Sequence, residues 1–481
     1  MTSTVDTPTT PRTDLAPGVA HLTVPRTSRV LPEHGTALRR ALSHAAAERA
    51  ARSRPATAAT DTPGEPCTRP FEPAFELPAD DEWLTEFFAV TDLRFAPLGR
   101  VGNSRLVLLD LMGNPGTLTV KTLASHVIVA RAVRHTETTG EPVMLVTPSS
   151  ANKATALRDA VLRAYRTGLA TPAELRIVSL VPDASRAKLW SSALSEDAEL
   201  AERNPLCVLD ADHPAHVKEL VARAADLCAE EIRSRYGFRL WHTLDLDNYR
   251  CADAVRAFAE RDALPGAPGV TRTHAHAVSS AFGLLGHHFG TTLLPEGPTA
   301  PQYFLVQHAA TPDMVLSLYG TRPPAYRTDP VTGLHHQDSD LHHPATTFSP
   351  AEDLEPTFYT RSPATSPAMN ALIRGNGGGG IVVSLHECLQ RYGQTRALLA
   401  RGGIALPAAP RDLREWSLVM VTTGVLLAVE RGLLTTDEIV LHASGSYGVD
   451  DFTPPPADRL RSIGGLADLC RAVHDAAAAP R

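Results

Sequence analysis

Short apolar runs alternate with helix-length amphipathic stretches through most of this 481-residue chain, and this alternation constrains its fold more than any other feature. RLVLLDLM (105–112) reads as a strand, and TVKTLASHVIVARAVRHTE (119–137) opens a helix. PVMLVTPSS (142–150) reads as a strand running into a loop, with the helix ATALRDAVLRAYRTG (154–168) after it. ELRIVSLVPD (174–183) and PLCVLDAD (205–212) are two more strands, followed by the helix HPAHVKELVARAADLCAEEI (213–232). Apolar strands that alternate with helices are parallel, because each crossover returns the chain to the same end of the sheet.

The pattern resumes at about residue 250. NYRCADAVRAFAERDA (248–263) and HAHAVSSAFGLLGHHFG (274–290) read as helices, QYFLVQ (302–307) as a strand and DMVLSLYG (313–320) as a helix start. Residues 321–370 are rich in Pro, His and Thr and read as irregular. IVVSLHECLQRYG, SLVMVTTGVLLAVERG and EIVLHASGSYG complete an α/β ending. The fold class expected is α/β: two three-layer α/β/α domains with mainly parallel sheets, plus a disordered N-terminal arm. Residues 1–35 carry Thr, Pro and charge without apolar periodicity; a helix is expected over 36–54 and a Pro-rich linker over 55–80.

Composition narrows the function classes. No run approaches the roughly 18 apolar residues of a membrane span, and the polar N-terminus has no apolar secretory core, so no membrane partner is expected. A net charge of −7 argues against a nucleic-acid partner. The six cysteines are scattered without a CxxC, which fits a reduced, cytoplasmic protein without a structural zinc site. Of 46 basic residues, only four are lysines: Lys121, Lys153, Lys188 and Lys218. A lysine in an apolar setting then calls for something arginine cannot do, namely lose a proton and attack a carbonyl.

Three segments could carry chemistry. Lys121 sits at a turn entering an apolar helix. Ser149, Ser150, Ala151, Asn152 and Lys153 lie between a strand and a helix, where amides and hydroxyls either cap the helix or bind an anion. Ser444 and Gly445 follow the strand EIVLHA, at the end of a parallel strand where open α/β sheets bind ligands. The run His335 to His343 holds metal-ligand residue types, but its Pro and Thr surroundings read as a surface loop, and no metal site is expected.

The order of these segments resembles the fold type II pyridoxal-phosphate (PLP) enzymes, the tryptophan synthase β-subunit family, and among them threonine synthase. Asn114-Pro115-Gly116 leads to Lys121, and Asn152 follows 31 residues later in Ser-Ser-Ala-Asn. RIVSLVPD and DNYRCADAVRAFAE resemble the next strand and the re-entry into the large domain, and Ser444-Gly445 stands at the terminal Ser/Thr-Gly. The likeness spans roughly residues 85–455. It implies a large domain over 81–130 and 246–481, a small α/β domain over 131–245, PLP as cofactor, an amino-acid substrate and a homodimer.

The resemblance further implies that Lys121 is the Schiff-base lysine, that Asn152 and Ser444 meet the ring hydroxyl and ring nitrogen, and that Ser149, Ser150, Ala151 and Lys153 hold substrate. By order, the phosphate would be held by His308 and Thr311, in a loop that lacks glycine. Gly377 to Gly380 precede a strand and read as a flexible turn. The implied activity is a lyase or synthase acting by β- or γ-elimination or replacement. The altered residues around Lys121 and the glycine-free loop fit an alternative, a non-catalytic binding or scaffold protein on the same fold that has lost PLP.

Overall fold

The computed structural model describes residues 22–52, 70–210, 216–295 and 300–480. The chain opens on three strands of one sheet, β1 (Arg26–Ser28), β2 (Leu93–Val101) and β3 (Ser104–Asp110). It then builds a second sheet from β4 (Val143–Pro148), β5 (Leu175–Pro182), β6 (Leu206–Leu209) and β7 (Arg239–His242). It returns with β8 (Arg272–Ala277) and β9 (Gln302–His308), and forms a small antiparallel sheet from β10 (Arg327–Thr328), β11 (His335–His336) and β12 (Thr346–Thr347). β13 (Gly378–Val383) and β14 (Glu438–Ala443) complete the first sheet, and β15 (Leu460–Ile463) crosses back to the second.

The first sheet has the order β1-β2-β3-β14-β8-β9-β13, parallel from β3 onward. The second, β15-β6-β5-β4-β7, is parallel throughout. Every residue of β4, β5 and β6 is buried, as expected for parallel strands covered on both faces. Helices Lys121–Thr139 and Leu246–Ala263 share one apolar cluster, and Ser417–Glu430 packs in another on the first sheet. Helices His216–Tyr236 and Leu466–Ala478 close a face of the second sheet. The fold is thus mixed α/β with mainly parallel sheets. Among the described residues, no helix is long and apolar enough to cross a membrane.

Four readings are corrected. Part of the expected arm packs on the core: Arg26, Thr27 and Ser28 pair with Phe95, Arg94 and Leu93, and a helix runs from Val30 to Arg52 with Val30 and Leu31 buried. Backbone pairing at a sheet edge needs no apolar periodicity, which is why composition hid it. Residues 1–21 and 53–69 of the arm lie outside the described residues. Second, 274–290 is not one helix: β8 ends at Ala277 and the helix begins at Phe282. Third, residues 460–478 belong with the second sheet, so the large domain does not run to the C-terminus. Fourth, the glycine run is no flexible turn, because Gly378 to Gly380 lie within β13. Gly378 has φ +113, and a Cβ there would stand 2.1 Å from the Tyr303 carbonyl oxygen.

Candidate active site

A cavity of about 390 Å³ opens between the two sheets. One wall is the turn after β4, from Pro148 to Lys153, and its floor includes Lys121 and Ser444. The turn leaving β14 holds the strap that enters the Lys121 helix: Val120 donates its backbone N–H to the Ser444 carbonyl at 2.9 Å, and Thr119 bridges to Gly445. Lys121 is the first residue of its helix. Its Nζ stands 5.2 Å from the centre of the Tyr249 ring. Burial pulls the Lys121 pKa down; Asp253 opposes that, Arg256 adds to it, and Glu415 opposes it.

Lys153 lies beside it, 8% exposed, donating to the Thr243 carbonyl at 3.3 Å. Burial first, then the charges of Lys121 and Lys218, bring its pKa down to about 7. Lys218 also lines the cavity, so three of the four lysines converge on it. The fourth, Lys188, lies buried between Glu355 and Glu415, whose charges outweigh its desolvation and raise its pKa.

The loop after β4 is largely a cap. The Ser149 hydroxyl accepts from the amides of Ala151 (3.0 Å) and Ala154 (2.9 Å). Ala151 is fully buried at φ +125, a conformation costing of order 1–3 kcal/mol for a non-glycine residue; it is not among the cavity-lining residues. Asn152 lines the cavity, with its amide bound to Glu415 and to Tyr447, each at 2.6 Å. Ser444 is 8% exposed, lines the cavity and has a buried Oγ with no protein partner.

His308 and Thr311 do not reach the cavity. The Thr311 hydroxyl and His308 Nε2 both lie 3.1 Å from the Phe358 carbonyl, so they brace a segment that does line it. The loop at the cavity wall is instead Val278 to Ala281, between β8 and the helix Phe282–Thr292. Ser279 and Ser280 line the cavity there, and Ala281 takes φ +52 ahead of the first turn. Gly283 has no Cβ because one would lie 2.7 Å from Arg256 Nη1, so the guanidinium can lie against that turn.

Sequence reasoning missed Tyr249, Asp253, Arg256, His276, Ser279 and Ser280. Reading 274–290 as one helix hid the loop. Lys218 carried the same scarcity signal as Lys121. Arg256 is 1% exposed, pairs with Asp253 and donates to His442 Nδ1 at 3.2 Å. His276, at the end of β8, is 6% exposed, and neither ring nitrogen has a partner. Burial, then Arg256 and Lys121, push its pKa well below the ordinary histidine value.

The histidines of 335–343 are tied locally, His335 to Thr328, His336 to Thr346, His342 to the Gly380 carbonyl and His343 to Asp340. Among the described residues, Glu260, His274 and His287 approach closely enough to share a metal. The Glu260 oxygens are already bonded to Arg272 (2.6 Å) and His287 (2.8 Å).

No curated protein matches the chain in sequence. Similar solved structures include threonine synthase from yeast, 11% identical, covering 81% of each chain with a TM-score of 0.48. PLP-bound threonine synthase from Brucella melitensis is 13% identical, covering 78% of this chain and 79% of that one with a TM-score of 0.45. O-acetylserine dependent cystathionine beta-synthase from Helicobacter pylori is 17% identical, covering 74% and 90% with a TM-score of 0.39. Residues 38–477 match the profile described as "Family of unknown function (DUF6002)", and the chain belongs to that family.

Proposed function

We propose that this protein is a PLP-dependent lyase or synthase that acts on an amino acid by β- or γ-elimination or replacement. The observation that carries the reading is Lys121 itself, a scarce lysine with a lowered pKa, fixed by the Ser444 turn at the floor of the main cavity. The donor set fits PLP. The Ser444 Oγ and both His276 nitrogens are buried without partners, an arrangement a bound polar heterocycle would satisfy. Ser279, Ser280 and the first turn of helix Phe282–Thr292, backed by Arg256, form a cradle for the phosphate.

PLP, when bound, supplies a sink for electrons released at the substrate α-carbon. Lys121 would hold it, and the Lys121 amine would then accept the α-proton at Nζ. Burial and Arg256 favour the unprotonated amine that this transfer requires. Ser444 would orient the ring through a neutral hydroxyl, which does not hold the ring nitrogen protonated as a carboxylate would; that favours elimination and replacement over transamination. Lys153 and Lys218 would bind anionic groups of the substrate.

The test is titration of the purified protein with PLP, followed by visible absorbance. Saturable uptake with a shifted band supports the reading; no uptake removes it. A second reading, a non-catalytic binding or scaffold protein on the same fold that has lost PLP, draws on Ala281 standing at a positive φ where glycine would be unstrained. A folded protein that takes up no PLP would favour it.

A further inference from the structure

Asn152 meets two fixed partners, and their chemistry decides which end of its amide is which. Glu415 is fully buried, and all its bonds come from donors. Its Oε2 accepts from Asn152 Nδ2 and from Lys188 Nζ, each at 2.6 Å, and its Oε1 accepts from the Ser417 amide (3.0 Å) and the Ser417 hydroxyl. An ionised carboxylate only accepts. Turning the amide would set two acceptor oxygens against each other at that distance. On the other side, the Tyr447 hydroxyl donates to Asn152 Oδ1 at 2.6 Å.

We propose that Glu415 is a positioning residue that locks Asn152 as a hydrogen-bond donor at the cavity wall, so that the bound molecule must place an acceptor oxygen there. One Nδ2 hydrogen goes to Glu415, and the second is the only side-chain hydrogen Asn152 has left to donate. Lys188 stands against both buried carboxylates, Glu415 at 2.6 Å and Glu355 at 2.5 Å. Burial, then repulsion from Glu415, raise Glu355 to about 7, while Lys188 and Ser417 keep Glu415 low despite burial. This inference rests on the PLP reading, in which the acceptor is the ring oxygen.

The test compares two ligands that cannot bond covalently to Lys121: pyridoxine 5′-phosphate and its 3-deoxy analogue, which lacks the ring oxygen. Equilibrium dialysis should show the wild-type protein preferring the first by about tenfold, the worth of one hydrogen bond. Glu415→Gln can present either amide end, so the preference should shrink to about twofold while affinity for the 3-deoxy analogue stays unchanged. Glu355→Gln keeps the Glu415 charge and should retain the full preference. Asn152→Leu, which leaves Glu415 in place, should abolish it.

An undiminished preference in Glu415→Gln, an equal loss for both ligands, or a preference surviving Asn152→Leu overturns the inference. Failure of the wild-type protein to bind either ligand is a different result, and it removes the cofactor reading itself.

Discussion

The Val120 amide and the Ser444 carbonyl, 2.9 Å apart, tie the residue before Lys121 to the turn that presents the Ser444 hydroxyl. A shift of either segment therefore shifts the other. Gly445 makes the turn possible, since a Cβ there would lie 2.8 Å from Glu415 Cγ, deep in a buried side chain. Gly445→Ala should destabilise the protein by about 1–3 kcal/mol, an overpacking cost, and should weaken PLP uptake as well. Thermal melting and PLP titration check both effects; wild-type values in both would show that the turn has slack.

Ser444→Ala separates a ligand contact from a structural hydroxyl. The Oγ bonds nothing in the protein, so the ligand-free variant should melt like wild type. PLP affinity should fall by roughly 0.5–1.5 kcal/mol, with a larger fall in turnover. Unchanged affinity and turnover would move the ring-nitrogen partner elsewhere.

The phosphate contact should follow the loop after β8. Ser279→Ala combined with Ser280→Ala should weaken both PLP and inorganic phosphate by about tenfold. Thr311→Val, away from the cavity, should change phosphate affinity by less than about twofold. Competition titrations with phosphate check this, and the reverse order would restore the His308–Thr311 loop as the cradle.

Lys153 gives a pH signature. Its folded pKa, about 7, lies below its ordinary value of 10.5. The folded state therefore resists a charge that the unfolded chain accepts freely. This penalty is fully present below pH 7 and fades as pH rises toward 10.5. Lys153→Met should thus stabilise the ligand-free protein most at acid pH, with the gain shrinking across that window. Urea unfolding midpoints from pH 6 to 10 check it, and a pH-independent difference would mean Lys153 is well solvated.

Much of the layered fold was legible because β3, β4, β5 and β9 are continuous apolar runs spaced by helices. Lys121, Asn152 and Ser444 stood out by residue type and order, and all three line one cavity. β1 was illegible because backbone pairing holds it, and β15 because its partner β6 lies some 250 residues earlier in the chain. The loop at 278–281 was hidden because HAHA continues the helical spacing of LLGHHFG, and pairing of Ala275 and His276 with both β14 and β9 makes that stretch a strand. Leu38, fully buried in the N-terminal helix, tests the correction to the arm. Leu38→Ala should cost about 2–5 kcal/mol, against nearly nothing for a solvated arm, as read by urea unfolding.

The most direct measurement is to load the wild-type protein with PLP, reduce it with borohydride, digest it and locate the pyridoxyl mass by peptide sequencing. Stoichiometric label on Lys121, with none in Lys121→Ala, is the predicted result. Lys188 should carry no label, because Glu355 and Glu415 hold it as a buried ammonium. Label concentrated on Lys153, Lys188 or Lys218, or spread over all four lysines, would contradict the account.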